Sequence, residues 1–196
     1  MPVPLPTTTR RTLSIAILVG LVGCFTGGGP GGGKEDNPAL EPANQQGEIE
    51  LTSPDFDDGE EIPEEYGYQY ANVNPSLEID GVPEDAASLA LVVDDPDALE
   101  PAGHVWVHWL VWDIPPETNE IPEQWEPGQA REGTNDFGDV GYGGPSPPDR
   151  PHTYRFKLYA LETTLELETG ATIGEFGDAF EEHVVAQTQL TGTFAP

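Results

Sequence analysis

Leu89-Ala90-Leu91-Val92-Val93-Asp94-Asp95-Pro96-Asp97 passes from five unbroken apolar residues into three acids interrupted by a proline. A run that short, rich in branched side chains and closed by a turn signal, reads as a strand buried on both faces rather than a helix. Asp95 and Asp97 follow it directly, where side chains emerge at the rim of a sheet. The next run, Val105 to Val111, reads as a second such strand. Strict alternation predicts Val105, Val107, Trp109 and Val111 on one face and His104, Trp106, His108 and Leu110 on the other.

Working outward, Glu48-Ile49-Glu50-Leu51 alternates like an edge strand, and Tyr154–Leu161 and Thr188–Phe194 supply two more. Helical spacing is confined to Ile173–Gln187, where Phe176, Phe180, Val184 and Val185 recur at helix intervals. The expected fold is mostly β: a β-sandwich with one C-terminal helix and long Pro/Gly-rich loops. The stretch from about Pro115 to Pro151 is too long for a passive connector and has the composition of a ligand-holding loop. No internal repeat is visible.

Over 196 residues, 36 Asp and Glu face 7 Lys and Arg, a formal charge of −29. Such a chain repels nucleic acid and anionic lipid surfaces, so nucleic-acid binding is excluded as a function class. The acids are spread along the chain, and a surface of this kind is tolerable where salt screens it, with a Debye length of about 3 Å at 1 M. The expected setting is therefore halophilic. One cysteine forbids an internal disulfide.

The N-terminal 23 residues read as a signal peptide. Arg10-Arg11 precedes Leu13–Gly23, which is eleven residues long against roughly 20 for a membrane span. The paired arginines resemble a twin-arginine export signal, and Leu21-Val22-Gly23-Cys24 resembles a lipobox, making Cys24 the expected lipidation site. Residues 24–46 then read as a flexible Gly/Pro-rich tether and 47–196 as the domain. Export and anchoring to the outer face of the cytoplasmic membrane follow; loss of Arg10 and Arg11 would leave a mature charge of −31.

Asp55-Phe56-Asp57-Asp58-Gly59 fails the calcium-loop spacing, because its Gly is fifth, not sixth, and reads as a solvated turn. Nucleophile elbow, Walker and HExxH motifs are missing from the chain. What remains is a set: Asp94-Asp95-Pro96-Asp97, Trp106-Val107-His108, Gly143-Gly144-Pro145 and His152-Thr153-Tyr154. Singly, each has an ordinary structural explanation, a core histidine or a turn.

Together they resemble the phosphatidylethanolamine-binding protein family, in its prokaryotic Raf-kinase-inhibitor-like branch. Asn135-Asp136-Phe137-Gly138, Gly141 to Pro148 and the closing Glu182-His183-Val184-Val185-Ala186 and Leu190-Thr191-Gly192-Thr193-Phe194 extend the resemblance over nearly the whole domain. It implies a large central sheet packed on a smaller one, and a small pocket for phosphate-like anions or phosphorylated head groups. Asp95, Asp97, Trp106, His108, Gly144, Pro145, His152 and Tyr154 would form that pocket, with no cofactor. Glu182 to Ala186 would belong to the family's C-terminal helix. Leu99, Ser146 and Thr153 depart from the usual Pro, Cys and Arg, and the last removes a fixed cation.

The expected function is that of a lipid-anchored binding domain, not an enzyme. Two other readings differ in class. One is an interaction module with a vestigial pocket; the other is a hydrolase or metal enzyme using Asp95, His108 and His152 as acid–base groups or as a two-His-one-carboxylate site.

Overall fold

The computed structural model describes residues 37–196. Among the described residues, eight strands form two antiparallel sheets. β1 (Glu50–Thr52), β2 (Leu77–Asp80) and β5 (Glu120–Ile121) make a three-stranded sheet in the order β1-β2-β5. The central sheet holds β3 (Ser88–Asp95), β4 (Trp106–Ile114), β6 (Arg131–Glu132), β7 (His152–Leu161) and β8 (Val184–Phe194), in the order β6-β4-β3-β7-β8. The sandwich read from the sequence is therefore present, with the larger sheet packed on the smaller. β1 lies at an edge, and every residue of β3 is buried.

Alternation sorts the central sheet into two faces. Leu89, Leu91 and Val93 pack with Phe156 and Leu158 against Ile49, Leu51, Leu77 and Ile79 of the smaller sheet. Ala90 and Val92 face the other way, toward Tyr159 and the helix α2 (Ile173–Phe180). Thr172 and Glu175 cap α2 reciprocally, and Ile173, Phe176 and Phe180 form its buried stripe. A four-residue helix, α1 (Leu99–Ala102), follows β3 and has no signal in the apolar pattern.

Three expectations are corrected. The helix stops at Phe180 rather than Gln187; a 3₁₀ turn at Glu181–His183 ends it and Val184 enters β8 opposite Leu161. The resemblance therefore misplaced Glu182 to Ala186, whose β-branched Val184 and Val185 pair better in a sheet than in a helix. Strict alternation along β4 also fails. Asp94 pairs with Val107 but Val93 pairs with Trp109, so β4 bulges at His108. Val107 consequently packs with Leu110 and Trp112 on one face while Trp109 and Val111 take the other.

The third correction concerns residues 37–46, which are packed instead of forming the end of a tether. Ala39, Leu40 and Ala43 are buried beside α2, and the Asn37 amide donates to the Ile173 carbonyl at 2.7 Å. Gly177 of α2 permits this approach: a Cβ there would stand 2.2 Å from Asn37 Oδ1. Residues 1–23 and Cys24, read as signal and lipidation site, lie outside the described residues.

Candidate binding pocket

The pocket is a cavity of about 250 Å³ at the end of β3, β4 and β7. Asp95, Trp106, His108 and His152 line it, and Ala98, Pro101 and Ala102 close one side. Phe137, Ser146 and Pro148 from the long loop complete the wall. Trp106 and His108, two residues apart on β4, both reach this cavity by ordinary alternation while Val107 between them packs behind the sheet; the bulge after Val107 turns Trp109 to the same side as His108.

His108 is buried and its Nδ1 lies 2.6 Å from the Gly143 carbonyl. A carbonyl only accepts, so Nδ1 carries the proton. Burial pushes the His108 pKa down, against the pull of Gly143 and the aspartates. The ring is therefore neutral, and Nε2 offers a lone pair. Phe137 and Tyr154 hold it edge-on, with ring centroids 5.6 and 5.1 Å away.

His152 has the opposite character. Its Nδ1 lies 2.6 Å from Asp95 Oδ2 and its Nε2 3.0 Å from Asp149 Oδ1. Burial lowers its pKa, but the Asp95 and Asp149 carboxylates outweigh that and the net shift is upward. Asp95 is itself fixed, because Oδ1 caps the turn after β3 by accepting from the Ala98 amide at 3.1 Å. One imidazole thus presents an acceptor and the other holds protons for acceptors.

The Asn135-Asp136-Phe137-Gly138 stretch shapes the wall. Asn135 accepts from the amides of Phe137 and Asp139 and donates to the Gly141 carbonyl. Asp136 accepts from the Val107 amide at 2.8 Å and so holds the loop to the bulged strand. Tyr68 stacks on Phe137 from outside at 4.0 Å between centroids.

A sequence profile of the phosphatidylethanolamine-binding protein family matches residues 52–195. The chain belongs to that family. An uncharacterised-family protein of Methanothermobacter thermautotrophicus is 42% identical over 144 residues, covering 71% of this chain and 93% of that one. A Mycobacterium tuberculosis protein named as lipoprotein LppC is 37% identical over 209 residues, covering 99% of both. Among solved structures, the Chlamydia trachomatis homologue of phosphatidylethanolamine-binding protein aligns with a TM-score of 0.70 and 36% identity, covering 74% of this chain and 95% of that one. E. coli YbcL, described as a member of the mammalian family, gives 0.68 and 32%, covering 75% and 98%.

Of the residues that the family resemblance assigned to the pocket, Asp95, Trp106, His108 and His152 line it. Asp97 stands outside the lining and organises the mouth, accepting from the Thr153 amide at 2.8 Å and from Arg150. Burial would raise the Asp97 carboxyl, but these two donors hold it below the usual range. Arg150 thereby keeps a cation beside Asp97 although position 153 is Thr.

Gly144 and Pro145 are structural. The Gly144 amide donates to Asn72 Oδ1 at 2.8 Å and that of Gly143 to the His108 carbonyl at 2.8 Å, so neither forms part of an anion-binding nest. A Cβ at Gly144 would sit 2.1 Å from the Tyr66 carbonyl oxygen. Pro145 accepts from the Tyr68 amide. Tyr154 is buried behind His108, and burial pushes its phenol pKa up.

Sequence reasoning missed Phe137, Ser146 and Pro148 as lining, and Asp149 altogether. The loop motifs flagged the first three as a region; a lone exposed Asp three residues before a His carries no signal. Among the described residues, no three His, Cys, Asp or Glu side chains are grouped as metal ligands would be.

Proposed function

We propose that this family member is a binding protein, not an enzyme, for a small phosphorylated or zwitterionic molecule of head-group type. The observation that carries the reading is the opposed hydrogen-bonding character of His108 and His152 across one 250 Å³ cavity. A ligand suits both when it brings an anionic oxygen and a proton donor together. A phosphomonoester monoanion does so, as does a phosphate carrying an ammonium group. The volume matches a head group rather than a whole lipid, and the apolar wall of Ala98, Pro101, Ala102 and Phe137 would take a short carbon chain.

Anchoring through Cys24 on the outer face of the cytoplasmic membrane completes the proposal. Its support is the lipobox-like Leu21-Val22-Gly23-Cys24 and the lipoprotein name carried by a relative aligned over 99% of the chain. The test is an NMR titration of the full-length protein with inorganic phosphate and with phosphoethanolamine, following the histidine rings. Saturable shifts of His108 and His152 are expected, and both vanish in His108→Ala. No response from either ring at tens of millimolar ligand overturns the reading.

A further inference from the structure

The His152 imidazole is enclosed by two carboxylates of unequal permanence. Asp95, with a side chain 4% exposed, holds Nδ1 at 2.6 Å and is pinned by its cap on Ala98. Asp149, with a side chain 49% exposed, holds Nε2 at 3.0 Å from the loop three residues upstream. The His152 side chain is itself fully buried. Nε2 is thus its one nitrogen not committed to a fixed, buried partner.

We propose that Asp149 is a tethered competitor of anionic ligands: it occupies the Nε2–H of His152, and an incoming anion gains that donor by displacing it. This deepens the reading of the cavity as a phosphate or zwitterion pocket and rests on it. One N–H serves one acceptor well, so a phosphate oxygen and the Asp149 carboxylate exclude each other there. Their like charges also oppose co-occupancy. The Asp149 carboxylate is half-exposed and regains water when it rotates away from the ring, while the incoming anion takes over the N–H it leaves, so the exchange costs little. The same pair is strong enough to reject weak or singly contacting anions. Asp149 would then set the affinity threshold, while Asp95 keeps the imidazole oriented in both states.

The test uses the full-length protein titrated with inorganic phosphate, reading the His152 ring by NMR in the native chain and in Asp149→Asn and Asp149→Ala. Both substitutions fall on a half-exposed side chain, and thermal melts check that the fold is kept. Phosphate affinity should rise about two- to fivefold in each variant. In a His152→Gln background, Asp149→Ala should give no gain. If native protein binds and the Asp149 variants bind equally or more weakly, competition is overturned while the pocket reading stands. Phosphate binding seen in the variants alone, with phosphoethanolamine still shifting both rings of the native protein, supports the proposal. No binding in any form overturns both.

Discussion

Asp94 and Asp95 are adjacent in β3 and serve opposite faces of the central sheet. Asp94, fully buried, pairs with Arg155 at 2.7 Å and with Lys157 at 2.7 Å. Asp95 holds His152 at 2.6 Å in the pocket. Behind the sheet, residues 37–46 finish what Asp94 begins: Lys157 Nζ also donates to the Ala39 and Glu41 carbonyls, and Arg155 to Leu40. One dipeptide therefore ties the pocket to the packed N-terminal segment through a single pleat.

Removal of residues 37–46 strips those acceptors from two buried cations. Lys157 already has its pKa lowered to about 8 by burial, with Asp94 opposing the shift. Losing a hydrogen bond to a buried charged donor costs about 1.5–3 kcal/mol. The full chain lacking 37–46 should lose that much in urea unfolding, and Lys157→Met in the deleted chain should recover part of it. An unchanged midpoint would show that the segment contributes nothing to the fold.

The two pocket histidines give stability opposite pH dependences. His152 has a raised pKa, so its contribution is complete below the unfolded value near 6.5 and disappears as pH rises through the folded value. His108 has a lowered pKa, so its contribution is present above about 6.5 and is lost as pH falls. The stability gap between the native chain and His152→Gln should narrow from pH 6 to pH 9, with a slope of at most about 1.4 kcal/mol per pH unit. For His108→Gln the gap should narrow from pH 7 to pH 5. Denaturant titrations across pH check both.

His108 should appear in ¹⁵N spectra as the neutral tautomer protonated at Nδ1, because Gly143 accepts from that nitrogen. His108→Ala orphans the carbonyl and costs about 1–3 kcal/mol, leaving a folded protein. A spectrum with the proton on Nε2 would remove the acceptor from the pocket chemistry.

Gly177→Ala should destabilise, although replacing Gly by Ala in a helix ordinarily gains about 1 kcal/mol. The new methyl group would meet Asn37 Oδ1, and overpacking of this kind costs about 1–3 kcal/mol. Combining it with Asn37→Ala opens the space, so the double variant should melt above Gly177→Ala alone. Additive losses in calorimetry would contradict the contact.

Arg150→Gln should raise the Asp97 carboxyl pKa, since Arg150 is one of the two donors holding it down. Carboxyl ¹³C titration reads this directly. The Thr153 amide remains, so Asp97 should still ionise below neutrality.

What the sequence determined by itself was the kind of the main elements, five of the eight described strands and the C-terminal helix. The unbroken run Leu89–Val93 read as a doubly buried strand, the stretch from Ile173 carried a helical stripe, and the family motifs stood in order. At Val184-Val185, where apolar spacing pointed to helix, pairing with the partner strand β7 decided for strand. The tertiary structure alone decided which groups meet. The β4 bulge depends on its register with β3, and His152 joins Asp95 across 57 positions. The His108 tautomer depends on a carbonyl 35 residues away. Periodicity and propensity act within a few residues, whereas a hydrogen-bond partner is chosen by strand register and loop path. Side-chain types are therefore legible in order along the chain; the protons they hold, and the groups they face, are fixed only when the sheet closes.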